Sequence, residues 1–532
     1  MQRHGLTVVV FLLFFLGMAA LQREKGAWTA EFGGTADEPA HFVTGLMVHD
    51  YLAAGAPWPP MTFARDYYLH YPKVGMGHWP PLFYVVQAVW MLAFGVGRIP
   101  VMLLLAALAA LAATILFAAM RREVGTAAGV LAGLYFLTLP ITMEHSLSVM
   151  AEMLLTALMM LGLLAYGRYL DEPGWRSAAW FAIISAAALL TKPTGVALAT
   201  IPPIAILLTR RFGLVRQFSF WLPALIVGVL AGPWYLLAPG AQHEKVSRFG
   251  KVQFRDDRLL GTPRDLAEFV GVVAVLAAVV GLVMAVRLIY RRHAAGIWVA
   301  GAALLMGVFV CREAIGAWES RNLVAVVPVL LLFAGLGAKR IGYAGLAARA
   351  PGYVLTAVAA MVVVGLVGWH IRGFPPKRTH GLSETAATLL ADQNMKQTVF
   401  LICAGPVGEG VFISEVAIRE KRPGHYTMRG SQVLSSSTWM GRKYRMRFDD
   451  PEKALAAVEA VPTGVVVVDR QGAETPHGRQ LLEGLSRHSE RWKPMAEASQ
   501  PAQGIAVFRF VGAESTTTGK IRLPDAVSLG LP

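Results

Sequence analysis

The stretch TADEPAHFVTGLMVHDYL, residues 35–52, sets Asp37 and Glu38 side by side and His41 a turn later. Thr35 is a candidate N-cap with Glu38 three residues on, so a helix is expected from about Asp37, with Pro39 tolerated in its first turn. On such a helix Asp37 and Glu38 stand four and three residues before His41, and all three side chains can face one direction. A carboxylate held in this way can take a proton from an attacking hydroxyl or amine. The same residues also read as a capping box with acids at a helix N-terminus. Their oxygen and nitrogen atoms form a short metal-ligand pattern too, which leaves a divalent cation open.

Further along, YYLHYPKVGMGHWPPLFY, residues 67–84, carries Lys73 and His78 among aromatic residues of the kind found at membrane interfaces. Glu152 stands in HSLSVMAEMLL near the end of an apolar stretch, with Glu144 and His145 one to two turns before it. An ionised side chain there costs roughly 2.5–3.5 kcal/mol on insertion scales, so it is expected to face a cavity or a partner. A hydrogen-bonded structural acid is the plainer account. Lys192 in ALLTKPTG, and Arg321 with Glu319 in WESRNL, each sit where apolar runs are interrupted. Lysine offers a compact charge suited to phosphate. The 239–263 loop adds Arg248, Lys251, Arg255 and Arg258 with Asp256 and Asp257, a run expected to be solvated. Basic groups beside carboxylates suit group transfer from a lipid phosphate, in which cations stabilise the leaving phosphate and a carboxylate activates the incoming group.

Membrane helices must position these residues. A spanning helix needs about 20 apolar residues, and twelve apolar runs lie between residues 5 and 370. The first, 5–21, reads as a signal peptide or an uncleaved first helix, and the many apolar segments after it favour the latter. Basic clusters at Arg3, Arg121 and Arg122, Arg168 and Arg176, Arg210 to Arg216, Arg287 to Arg292 and Lys339 to Arg349 are taken as cytoplasmic. The outer face then holds 22–79, the turns near Glu144, Lys192 and 313–321, the 239–263 loop and everything after 371. Parity leaves room for one crossing in 80–120, so the run 80–97, headed by Pro80 and Pro81, is expected to be re-entrant or interfacial.

The resulting fold class is a polytopic α-helical membrane protein of about eleven spans with a small C-terminal α/β domain. Residues 1–370 form the membrane domain, with 22–79 as its first outer loop, and 371–532 the outer domain. In that tail TVFLIC, GVVVVD and GIAVFRF read as strands, and 383–394, 451–460 and 478–488 as helices.

Hydrophobic residues make up 55% of the 532 and charged residues 16%, with a mean hydropathy of +0.50. Soluble domains carry roughly a quarter charged residues, so a single soluble enzyme and a disordered chain are both excluded. The net charge is +15, and the tail, with 21 basic and 16 acidic residues, accounts for a third of it. Topology explains most of the remainder without a nucleic-acid partner. Two cysteines, Cys311 and Cys403, exclude a disulfide framework or cysteine metal cluster.

ADEPAH, HWPPLFY, Glu152, LLTKPTG and ESRNLVAVVP, spread in this order over residues 1–370, resemble the membrane glycosyltransferases of the GT-C superfamily. The nearer likeness is to bacterial relatives of protein O-mannosyltransferases and to lipid A aminoarabinose transferases. The resemblance implies a sugar donor carried on a polyprenyl phosphate. It implies transfer with inversion on the periplasmic face of a bacterial inner membrane, to a lipid, glycan or protein acceptor. It makes Asp37 the catalytic base or acceptor-positioning carboxylate, Glu38 its neighbour and Glu152 the second acid. It implies that Lys192 and Arg321 bind donor phosphate, with His78 nearby; His41 and Lys73 are expected, from their places in the first loop, to complete the substrate-binding set. The chain departs from the family pattern in having Glu rather than Asp at 152, no glycine directly after Lys192, and ESRN in place of an Arg-Tyr pair.

A transporter or flippase of lipid-linked sugars would also want outer-face charges. It would more naturally show repeated halves and ionisable groups at mid-membrane. A non-catalytic envelope assembly subunit is the other reading, and transfer by the isolated chain would exclude it.

Overall fold

Runs of Leu, Ala and Val with few charges can satisfy their backbone in hydrocarbon by forming α-helices. The computed structural model describes residues 2–238, 261–315, 320–341, 352–395, 398–437, 443–461 and 463–511. It divides into two compact units. The first comprises Met1–Lys25, Gly77–Phe83 and Met102–Pro376, and the second Gly26–Met76, Tyr84–Val101 and Lys377–Pro532.

Among the described residues six helices are long and apolar enough to cross a membrane: Gly5–Glu24, Arg98–Glu123, Glu152–Asp171, Phe218–Leu237, Val272–Tyr290 and Arg321–Arg340. A seventh arises if Thr126–Thr138 and Pro140–Ser146, which meet at 66°, form one broken span. The break has a local cause: Leu139 precedes proline and is extended at ψ 136°, a conformation that proline imposes on its predecessor. Five apolar helices are shorter: Leu82–Phe94, Trp175–Thr191, Pro193–Thr209, Gly296–Arg312 and Ala357–Gly373. The helical membrane architecture is therefore as expected, while length and composition alone mark six or seven crossings. Leu82–Phe94, within the run expected to be re-entrant, has 13 residues. At 1.5 Å per residue it is about 20 Å long, short of a hydrocarbon core of about 30 Å.

In the second unit the tail builds a five-stranded sheet. Its strands are β1 (Val399–Cys403), β2 (Thr427–Arg429), β5 (Thr463–Val468), β6 (Trp492–Pro494) and β7 (Ala506–Phe510); β3 (Ser435–Ser436) and β4 (Arg445–Met446) pair separately. The order is β2-β1-β5-β7-β6. β1 runs parallel to β2 and β5, and β7 runs antiparallel to β5 and β6. Leu401, Val466, Leu455, Leu481 and Trp492 meet in one apolar core.

The three expected strands and three expected helices correspond to β1, β5 and β7 and to Leu382–Ala391, Pro451–Glu459 and Pro476–Arg487. Sequence reading passed over the helix Gly408–Arg419. Residues 408–417 are all buried, so this helix shows no polar stripe to betray its period. It packs against Leu382–Ala391 and against Glu38–Ala53, the helix that carries the first acidic motif.

Candidate active site

The first loop's helix begins at Glu38, with Asp37 at its N-cap position and Pro39 in the first turn. Thr35 Oγ1 accepts from the Glu38 backbone N–H at 3.2 Å, so half of the expected capping box forms between the expected residues, while the helix itself starts one residue later than anticipated. The Glu38 side chain does not complete it. One carboxylate oxygen accepts from the Gly34 N–H at 2.6 Å, and the other accepts from Lys377 Nζ at 2.5 Å. Both side chains of that pair are buried, at 0% and 4% exposure, which makes Glu38 a structurally engaged acid. His41, also buried, shares a hydrogen bond of 2.7 Å between Nδ1 and Tyr84 Oη.

Asp37 is half-buried and lies close enough to Lys73 to act on its charge. Lys73 is the notable base of this unit. Burial, and then the neighbouring Arg429 guanidinium, bring its ammonium down from 10.5 to about 7, against the opposing pull of Glu409 and Asp37. Glu409 is itself buried and occupied: it accepts from Arg429 Nε at 2.7 Å, from the Ser431 N–H at 2.8 Å and from Ser431 Oγ at 2.6 Å. Gly410 leaves the room that Lys73 takes, since a Cβ there would stand 2.6 Å from Pro39 Cγ and 2.8 Å from Lys73 Cε. Asp37, Glu38 and His41 thus turn to different neighbours. Among the described residues no three His, Cys, Asp or Glu side chains converge as a metal-ligand set.

In the first unit Glu152 opens the helix Glu152–Asp171, and Lys192 follows the last turn of Trp175–Thr191. Their side chains meet, Lys192 Nζ donating to Glu152 Oε1 at 2.6 Å, with the carboxylate 2% and the ammonium 20% exposed. The helix break at Pro140 brings His145 to the same place, where the charges of Glu152, Glu144, Lys192 and Arg321 all reach its ring. Arg321 sits in the short turn of helix Ser320–Val326, which packs against both Pro140–Ser146 and Glu152–Asp171. Both ring nitrogens of His145 and the hydroxyls of Thr142 and Ser146 are buried without a hydrogen-bond partner among the described residues. Buried polar atoms of this kind call for water or a polar ligand. His78 is half-buried in the turn before Pro80. Glu319 and the charged residues Arg248, Lys251, Arg255, Asp256, Asp257 and Arg258 lie outside the described residues.

The structure therefore joins Asp37 to Lys73 within one unit and Glu152 to Lys192, His145 and Arg321 within the other. Sequence reading missed Lys377, Glu409 and Arg429, which come from the tail and carry no motif, and assigned no role to His145, whose only signal was its place two turns before Glu152.

Residues 78–236 match the family model described as dolichyl-phosphate-mannose-protein mannosyltransferase. No curated protein matches the chain in sequence. The chain is similar to ArnT from Cupriavidus metallidurans in the apo state, at 14% identity and a TM-score of 0.62 over 96% of this chain and 98% of that one. It is similar to the same protein bound to undecaprenyl phosphate, at 15% identity and a TM-score of 0.58 over 94% and 97%. It is also similar to the archaeal oligosaccharyltransferase AglB from Archaeoglobus fulgidus in complex with an inhibitory peptide and a dolichol-phosphate. That likeness has 13% identity and a TM-score of 0.53 over 95% and 74%. At such identities the likeness is one of fold. It agrees with the resemblance carried by the motifs, and the chain has the fold of the GT-C membrane glycosyltransferases.

Proposed function

We propose that this chain is an integral membrane glycosyltransferase. It moves a sugar from a polyprenyl-phosphate donor to a lipid, glycan or protein acceptor at the outer, periplasmic face of a bacterial inner membrane, with inversion at the anomeric carbon. The observation that carries the reading is the half-buried Asp37 carboxylate beside Lys73 at the start of the first-loop helix. In the reaction the acceptor oxygen or nitrogen bonds to the anomeric carbon as the bond from that carbon to the phosphate oxygen breaks. The electron pair leaves on the phosphate, and the acceptor proton passes to Asp37. Lys73, His78, Lys192 and Arg321 hold donor and acceptor groups, His41 orients the loop through Tyr84, and Glu152 fixes the Lys192 ammonium. The unsatisfied polar atoms around His145 support a polar ligand in the first unit. Bound undecaprenyl phosphate in ArnT and dolichol-phosphate in AglB support a lipid-phosphate donor.

The packing of the second unit supports eleven crossings. That residues 26–76 and the tail belong to one compact unit supports their lying on one side of the membrane, with an even number of crossings between them. The five long helices after the first, the bent pair and four of the shorter apolar helices supply ten, with Leu82–Phe94 left as the interfacial segment.

The decisive test is transfer by the purified chain. With undecaprenyl-phosphate mannose or undecaprenyl-phosphate aminoarabinose as donor and bacterial envelope lipid, glycan and protein fractions as acceptors, covalent product should form, and Asp37→Asn should lower its rate by roughly 100- to 10,000-fold with thermal unfolding unchanged. Full transfer by the variant would remove Asp37 from the reaction. Counterflow of either lipid without covalent product would make the chain a transporter.

A further inference from the structure

The tail brings an arginine to Lys73. β1 leads through the helix Gly408–Arg419 to β2, which lies parallel beside it and ends on Arg429. In open α/β sheets ligands bind outside the carboxyl ends of parallel strands. The first turn of that helix and Arg429 stand at this edge, and Lys73 lies across the turn, its Cε 2.8 Å from where a Gly410 Cβ would be. After burial, the strongest influence on the Lys73 ammonium is the charge of Arg429, so two cations lie close together with little solvent around them. Their hydrogen-bonding capacity is only partly used. Glu409 takes one N–H of Arg429, at Nε, and its two oxygens are filled by that bond and by the N–H and Oγ of Ser431. The Nη1–Nη2 edge of Arg429 and the ammonium of Lys73 bond no other described residue, and Glu409 and Asp37 act on Lys73 through charge alone. Donors are therefore in surplus at this edge, and what it lacks is an acceptor.

Resting on the transferase reading, with Asp37 taking the proton of the acceptor, we infer that Lys73 and Arg429 form a subsite for a carboxylate carried by the acceptor. Asp37 belongs to the same unit and its charge reaches Lys73, which puts a group bound here on the acceptor side. Lys192 and Arg321, read as ligands of the donor phosphate, belong to the other unit. The flat Nη1–Nη2 edge matches the two oxygens of a carboxylate, and Lys73 adds a point charge beside it. Charge favours a monoanion over a phosphate dianion, because Arg429 is already balanced by Glu409. The subsite selects acidic acceptors over neutral ones of the same shape.

The test uses the full chain in lipid nanodiscs. Brief acetylation with acetic anhydride at neutral pH reads the Lys73 amine by peptide mass spectrometry. Trigalacturonate and the blocked peptide acetyl-Ala-Glu-Ala-amide are the probes, and their methyl esters the controls. At least one acid should slow acetylation of Lys73 severalfold while its ester does not, and which of the two protects identifies the source as glycan or protein. In Arg429→Lys, which keeps a cation beside Glu409 but loses the flat edge, protection should fall away. In the transfer assay, methyl esterification of the acceptor fractions should raise KM roughly 10- to 100-fold with kcat much less changed, and phosphatase treatment should have no effect. Protection by neither acid, equal protection by acid and ester, full protection in Arg429→Lys, or a loss of transfer after phosphatase and not after esterification would each overturn the inference. If no fraction accepts a sugar, the transferase reading falls by itself, and acetylation still decides whether Lys73 and Arg429 hold a carboxylate.

Discussion

Lys73 illustrates how one side chain can be placed for use at a cost to the fold. Its folded-state ammonium titrates near 7 rather than 10.5, chiefly through burial and then through Arg429. The folded chain therefore binds this proton less tightly than the unfolded chain, so the penalty is full below about pH 7 and fades as pH rises toward 10.5. Lys73→Met should raise the unfolding temperature at neutral pH and remove the gain in stability that the native chain shows between neutral and alkaline pH. If Lys73 holds substrate, the same variant should transfer more slowly. A variant that is more stable and less active is the pattern expected where a site is held under strain. Thermal unfolding followed by tryptophan fluorescence, with transfer measured on the same sample, checks both halves.

At the scale of elements, the first loop and the tail are fastened by polar contacts as well as by packing of the helix Gly408–Arg419. Arg422 donates to both Asp50 oxygens, at 2.6 and 3.1 Å. Tyr71 Oη donates to Glu420 Oε1 at 2.5 Å, and the other oxygen of Glu420 faces His425 Nδ1 at 2.6 Å. Burial pulls the His425 imidazole down, but its hydrogen bond and attraction to Glu420 outweigh that and leave it above 6.5. The stability contributed by this pair is therefore complete below pH 6.5 and is lost as pH rises through the raised value. As pH rises above 6.5 the unfolding temperature should fall more in the native chain than in His425→Gln. Equal pH dependence in the two proteins would show that the pair does not titrate in this range. The sign is opposite to that of Lys73, so the double variant with Lys73→Met separates the two contributions.

For the whole molecule, the shared unit of first loop and tail makes a statement about sidedness that can be checked without knowing the substrate. Trp58 in the loop is 87% exposed, and the Lys453 side chain in the tail is 62% exposed. The native cysteines Cys311 and Cys403 are both buried and should contribute little background. Trp58→Cys and Lys453→Cys should both react with a membrane-impermeant thiol reagent added to intact spheroplasts. Arg122→Cys, whose side chain is 76% exposed in a basic cluster assigned to the cytoplasm, should react only after lysis. Labelling of Trp58→Cys and Lys453→Cys from opposite sides would contradict the packing of residues 26–76 with the tail.

Composition and local pattern were enough to establish a helical membrane protein with an α/β tail, because both rest on short-range physics. Apolar runs must form helices in hydrocarbon, and a short continuous apolar run such as GVVVVD forms a strand where both of its faces can be covered. The same reading placed Asp37 at a helix start and marked Glu152 as an acid in need of a partner. It did not say which partner. Lys192 was noted as a separate phosphate ligand and proves to be paired with Glu152 across 40 residues. Glu38, read as a companion of Asp37, is joined to Lys377 from the far end of the chain. The helix Gly408–Arg419 was hidden because burial on all sides erases its period. Which acids are joined in ion pairs, and to what, is a question of long-range contact, and contacts between residues hundreds of positions apart leave no mark in the spacing of either one.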